Sequence, residues 1–101
     1  MTEVTGLSPM DYTNSVVYFS APWCGPCKML GPLMEDLSKS YTNLRFLKVN
    51  VDEAPELAAK LKIQAVPTVV LFVNGTDKKR FTGLQPRQNY ETAFAQYSEV
   101  G

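Results

Sequence analysis

Ala21-Pro22-Trp23-Cys24-Gly25-Pro26-Cys27-Lys28 holds the only two cysteines and the only tryptophan of the chain. Two residues between the thiols let both sulfurs meet across one helical turn, so the pair closes a disulfide or presents a dithiol with little backbone movement. That spacing points to reversible redox chemistry. Downstream, Leu30, Leu33, Met34, Leu37 and Tyr41 recur on one face at helical period, which predicts an amphipathic helix with Cys24 at its start. Unpaired N–H groups and the positive end of the helix dipole favour a thiolate there. Cys24 is therefore expected as the nucleophile, and Cys27, one turn further in, as the more shielded resolving thiol. Pro26 suits a first turn, where its missing N–H leaves no bond unmade. Pro32 is expected to kink the helix.

Two plainer uses of the cysteines are weaker. A structural staple around so small a ring contributes only about 2 kcal/mol. A zinc site needs four ligands, and the chain has two cysteines and no histidine. Only a dimer sharing ligands builds one, so no metal is expected.

Working outward, Val16-Val17-Tyr18-Phe19 is an apolar run without polar alternation, suited to a central strand buried on both faces. It ends where the cysteine motif begins, and sites in open α/β sheets collect at the carboxyl ends of strands. Beyond the helix, Leu44 to Val51 reads as a second buried strand. Pro55 to Leu61, with an early proline and acid and a Leu57/Leu61 pair, reads as a short helix. Strand, helix, strand, helix predicts an α/β sandwich whose leading strands run parallel.

Thr68 to Val73 is the strongest strand signal, and Asn74-Gly75 after it is a hairpin signal. Lys78 to Thr82 should return antiparallel, with Lys78, Lys79 and Arg80 solvating an edge strand. Pro86 opens a helix presenting Tyr90, Ala93, Phe94 and Tyr97 on one face. At the other end, Thr2 to Thr5 suits a short edge strand and Ser8 to Tyr12 a capped helical turn. No repeat or linker interrupts the chain, so residues 1–101 are expected to form one domain.

Composition narrows the partners. A length of 101 residues and 45% hydrophobic content suffice for a core without staples. Ten basic and ten acidic residues cancel, leaving no field to hold nucleic acid or an anionic membrane. Met1 to Gly6 lacks the basic and apolar regions of a signal peptide, and no run is long enough to span a bilayer. A cytoplasmic protein is expected, and in a reducing compartment a lone Cys-x-x-Cys is more often catalytic or metal-binding than structural.

Along almost its whole length the chain resembles the thioredoxin family. Trp-Cys-Gly-Pro-Cys-Lys at 23 to 28 is similar to the family's active-site sequence. Further matches are Pro32, the strand end Lys48-Val49-Asn50-Val51-Asp52, Val66-Pro67-Thr68, Asn74-Gly75 and Gly83. The resemblance implies an α/β thioredoxin fold, a central mixed sheet of four to five strands with helices on both faces. It implies a protein disulfide reductase in which Cys24 attacks and Cys27 resolves. Gly25, Pro26, Lys28, Lys48 and Asp52 are implied as supporting residues. Trp23, Val66, the family's cis-proline at Pro67, and Gly83 would shape a groove for extended substrate peptide. No bound cofactor is implied: a thioredoxin reductase drawing on NADPH would recharge the disulfide, and the working unit would be a monomer.

Two positions depart from the family pattern. Tyr18 stands where a buried aspartate usually helps move protons to and from the resolving thiol, and a phenol titrates roughly six units above a carboxyl group. Lys48, Asp52 or water is expected to modulate the resolving step instead, or that step is slower. Ser20 replaces a tryptophan found in many members. Other functions keep a place: an isomerase or oxidase on the same fold, which usually carries a histidine between the cysteines; a glutaredoxin, which usually carries Pro-Tyr; and a binding scaffold with an incidental dithiol.

Overall fold

A computed structural model describes residues 1–98. Five strands form one sheet: β1 (Thr2–Glu3), β2 (Asn14–Ser20), β3 (Arg45–Asn50), β4 (Thr68–Val73) and β5 (Thr76–Thr82). Three α-helices flank it: α1 (Cys27–Ser40), α2 (Pro55–Lys60) and α3 (Arg87–Ser98). The spatial order is β1-β3-β2-β4-β5, with β1, β3 and β2 parallel and β4 antiparallel to both β2 and β5. The sheet is thus mixed, as expected, and its parallel half carries the cysteine junction.

The two faces of β2 bury different partners because successive side chains point to opposite sides. Val16 and Tyr18 pack with Leu30, Met34 and Leu37 of α1 and with Tyr90 and Phe94 of α3. Val17 and Phe19 pack on the other face with Leu57 of α2 and Phe72 of β4. Burying both faces explains why β2 and β4 read as unbroken apolar runs.

Several local readings hold with shifted ends. Ser8 to Tyr12 becomes a 3-10 turn, Pro9–Tyr12, closed by a capping box in which the Asp11 carboxylate accepts the Ser8 backbone N–H at 2.9 Å. Asn74 and Gly75 form the two-residue hairpin turn with φ of 53° and 82°, the positive values that such turns require. Helix α1 begins at Cys27 rather than Cys24, with Pro26 at the cap position. It continues through Pro32, whose missing N–H deprives the Lys28 carbonyl of its helical donor. No described helix is long and apolar enough to cross a membrane.

Edge strand β5 has more to do than shed water. Lys79 Nζ lies 5.7 Å from the centroid of the Phe81 ring. Arg80 donates to the carbonyls of Leu61 (2.8 Å) and Lys62 (3.2 Å) and to Asp77 (2.9 Å). Lys78, Lys79 and Arg80 are exposed on the edge strand as expected, and Arg80 in addition fastens the chain leaving α2.

Candidate active site

Strand β2 ends at Ser20, and residues 21–26 turn the chain into α1. Cys24 and Cys27 are joined there by a disulfide, with Cα atoms 5.4 Å apart. Cys24 lies in the turn before the helix, its N–H donating to the Ala21 carbonyl at 3.1 Å. The Cys27 N–H, the first of α1, donates to Cys24 Sγ at 3.2 Å. Cys24 therefore occupies the anion-favouring end of the helix even though it precedes the first helical residue. The expected difference in shielding is absent: Cys24 is 4% and Cys27 6% exposed. The one-turn ring leaves the two residues about equally buried.

Gly25 and Pro26 are exposed between them. Their carbonyls accept the N–H groups of Lys28 (Gly25, 3.0 Å), and of Met29 and Leu30 (Pro26, both 3.1 Å). Trp23 is 69% exposed, and its indole N–H donates to the Asp52 carboxylate at 3.0 and 3.3 Å. The Asp52 N–H in turn donates to Asn50 Oδ1 at 2.9 Å. One loop after β3 thus fixes the ring beside the cysteines.

Trp23 and Val66 line one cavity of about 180 Å³, together with Val51, Ile63, Gln64 and Ala65. The Val66–Pro67 bond is cis, and the buried Pro67 offers its carbonyl to the Gly83 N–H at 2.8 Å. Gly83 has φ of 82°, a backbone conformation that suits glycine. The Tyr90 hydroxyl of α3 donates to the Gly83 carbonyl at 3.4 Å and accepts the Gln85 N–H at 3.1 Å. Tyr90 read from sequence only as a core position, and nothing local to it signals this second task.

Lys28 and Lys48 share a second cavity, of about 310 Å³, which reaches Cys27 and Tyr18. Asp52 faces Trp23 and does not line it. Tyr18 is 1% exposed and donates its hydroxyl proton to the Cys27 carbonyl at 2.8 Å. Burial pushes its pKa above the ordinary phenol value, so it is a neutral donor and not a base. Among the described residues no group of three or more Cys, Asp or Glu side chains converges as a metal site.

The predicted residues therefore assemble in three places: the cysteines with Lys28 and Lys48, Trp23 with Asp52 and Val66, and Pro67 with Gly83. The first two meet at the turn between Ala21 and Cys27.

A family model described as Thioredoxin matches residues 9–96. Thioredoxin of Mycoplasma genitalium is 37% identical over 92 residues, which cover 86% of this chain and 90% of that protein. The chloroplastic thioredoxin M-type of Brassica napus is 37% identical over 83 residues, 81% of this chain, but the match spans only 47% of its length. In structure the chain is similar to thioredoxin of Malassezia sympodialis, with a TM-score of 0.86, 33% identity and coverage of 96% and 90%.

Proposed function

The chain belongs to the thioredoxin family and is a thiol–disulfide oxidoreductase whose active site carries the Cys24–Cys27 pair; on that premise we propose that Cys24 attacks protein disulfides and Cys27 resolves the product. The Cys24 thiolate forms a bond to one substrate sulfur while the other leaves as a thiolate. Cys27 then attacks Cys24, closing the Cys24–Cys27 disulfide and releasing the second substrate thiol. Two electrons pass from the dithiol to the substrate. The observation that carries the assignment is the Cys27 N–H on Cys24 Sγ at 3.2 Å. In the reduced protein that donor, backed by the first turn of α1, stabilises a thiolate on Cys24 rather than on Cys27.

The neighbouring residues support this division of labour. Gly25 and Pro26 keep the turn narrow beside the sulfurs. Lys28 and Lys48 add positive charge on the Cys27 side, and Asp52 holds Trp23 against the groove. Substrate peptide lies extended along Trp23, Val66, Pro67 and Gly83, with the backbone groups of Val66 pairing with it. The protein works without a bound cofactor, as a cytoplasmic monomer recharged by a thioredoxin reductase drawing on NADPH. In that setting it carries electrons and maintains cellular redox balance.

Reduction of a protein disulfide with dithiothreitol as the electron source tests the roles. Cys24→Ser abolishes turnover and traps nothing, whereas Cys27→Ser stalls as a mixed disulfide at Cys24. A stable mixed disulfide on Cys27 in the Cys24→Ser protein would reverse the assignment.

A further inference from the structure

Resolution requires Cys27 to lose a proton, and the buried residue beneath it, Tyr18, is a hydrogen-bond donor already committed to the Cys27 carbonyl. The base has to come from elsewhere. Across the sheet Tyr18 of β2 is in register with Lys48 of β3, and Lys48 with Glu3 of β1. Register partners share a face, and this face is the one covered by α1. Two cavities reach Cys27 from that side, of about 310 Å³ and 520 Å³. Glu3 and Lys48 line both.

Three carboxylates border these cavities, and their commitments differ. Glu35 of α1 accepts the Met1 amine at 2.8 Å. Glu53 accepts the Asn50 amide at 3.0 Å. The Glu3 carboxylate has no hydrogen-bond or ion-pair partner among the described residues, and of the three acids it alone lines both cavities. The cations on this side are the Met1 amine, held by Glu35, and Lys28 and Lys48, neither of which is in a salt bridge among the described residues. Volumes of this size admit water with several polar partners.

Building on the proposed roles of the two cysteines, we propose that Glu3 is the proton acceptor of the resolving step, reaching Cys27 through cavity water beside Lys48. The Cys27 thiol gives its proton to that water, which passes one to the Glu3 carboxylate. The Cys27 thiolate attacks Cys24 Sγ and the Cys24–Cys27 bond forms. The Cys24–substrate bond breaks, and its electron pair leaves on the substrate thiolate. Glu3 returns its proton to solvent through its exposed position on the edge strand. A carboxylate on β1 thereby does from the rim what a tyrosine at position 18 cannot do from beneath.

A peptide disulfide whose halves carry different fluorophores separates the steps in one stopped-flow trace: the first half leaves when Cys24 attacks and the second when Cys27 resolves. In Glu3→Gln the second phase slows about tenfold at pH 7, less than a directly contacting base because water intervenes. The two proteins converge at high pH, where hydroxide takes the Cys27 proton without Glu3. Glu53→Gln leaves the second phase unchanged. Equal second phases for Glu3→Gln and the parent at every pH, a slowing that persists at high pH, or the same loss in Glu53→Gln each overturn the proposal. Absence of the first phase in the parent protein would instead overturn the assignment of Cys24.

Discussion

The Tyr18 hydroxyl donates to the Cys27 carbonyl at 2.8 Å, tying the centre of the sheet to the first residue of the helix that carries the resolving thiol. The ring also lies beneath Gly31, where an added Cβ would stand 3.9 Å from the hydroxyl. Position 18 thus has a structural task. Tyr18→Phe keeps the packing and loses one hydrogen bond, so it lowers unfolding stability by about 1 kcal/mol. Because the phenol is not the base, resolution changes less than about twofold, well below the effect of losing a general base. Denaturant midpoints and single-turnover rates check the two halves.

The pair Trp23 and Asp52 carries a second prediction. Asp52→Ala removes the acceptor of the indole N–H and frees an exposed ring. One charge-assisted hydrogen bond at an exposed site contributes about 1 kcal/mol, so KM for a protein disulfide rises roughly fivefold while kcat changes little. Steady-state kinetics separate the two constants, and Trp23 fluorescence anisotropy falls in the variant.

Arg80 makes two bonds to the carbonyls of Leu61 and Lys62. That chain leads through Lys62, at φ 58°, to Val66 and Pro67. Arg80→Ala destabilises the protein by about 1–2 kcal/mol and raises KM through a looser groove wall. Arg80→Lys restores little, since one ammonium cannot reproduce the guanidinium fork. Hydrogen exchange at residues 61–66 reports the loosening directly.

Asp11 supplies a pH dependence. The Ser8 backbone N–H, with help from the Ser8 hydroxyl and Arg45, holds its carboxyl below the ordinary value of 3.8. A folded pKa below the unfolded one gives stability that is fully present above the unfolded value and lost as pH falls through the folded one. Asp11→Asn therefore costs about 1 kcal/mol near neutral pH, and the difference from the parent disappears at acid pH. Thermal melts between pH 2 and pH 7, as a rough working range, check the sign.

Sequence legibility followed the range of the interactions. The cysteine turn, the 3.6-residue period of α1 and the Asn74-Gly75 hairpin depend on neighbours in the chain, and they read directly. The groove residues came from a resemblance, since nothing local to Val66 or Gly83 marks them. Tyr18 was visible as an unusual residue but not as the donor to Cys27, because that bond needs the distance between β2 and α1. Glu3 was harder still: a two-residue strand has too little pattern to fix its register, and only pairing with β3 sets it in the row with Lys48. The second task of Arg80 is not legible, because an edge cation and a carbonyl anchor have the same local sequence.

The reduction potential of the Cys24/Cys27 pair tests the central claim most directly, measured against a defined thiol buffer by Trp23 fluorescence and by thiol trapping. A reductase of this family predicts a reversible two-electron couple near about −270 mV, the value of thioredoxin itself. A couple near about −180 mV would assign the protein to disulfide isomerisation instead, and no reversible couple would contradict the redox account altogether.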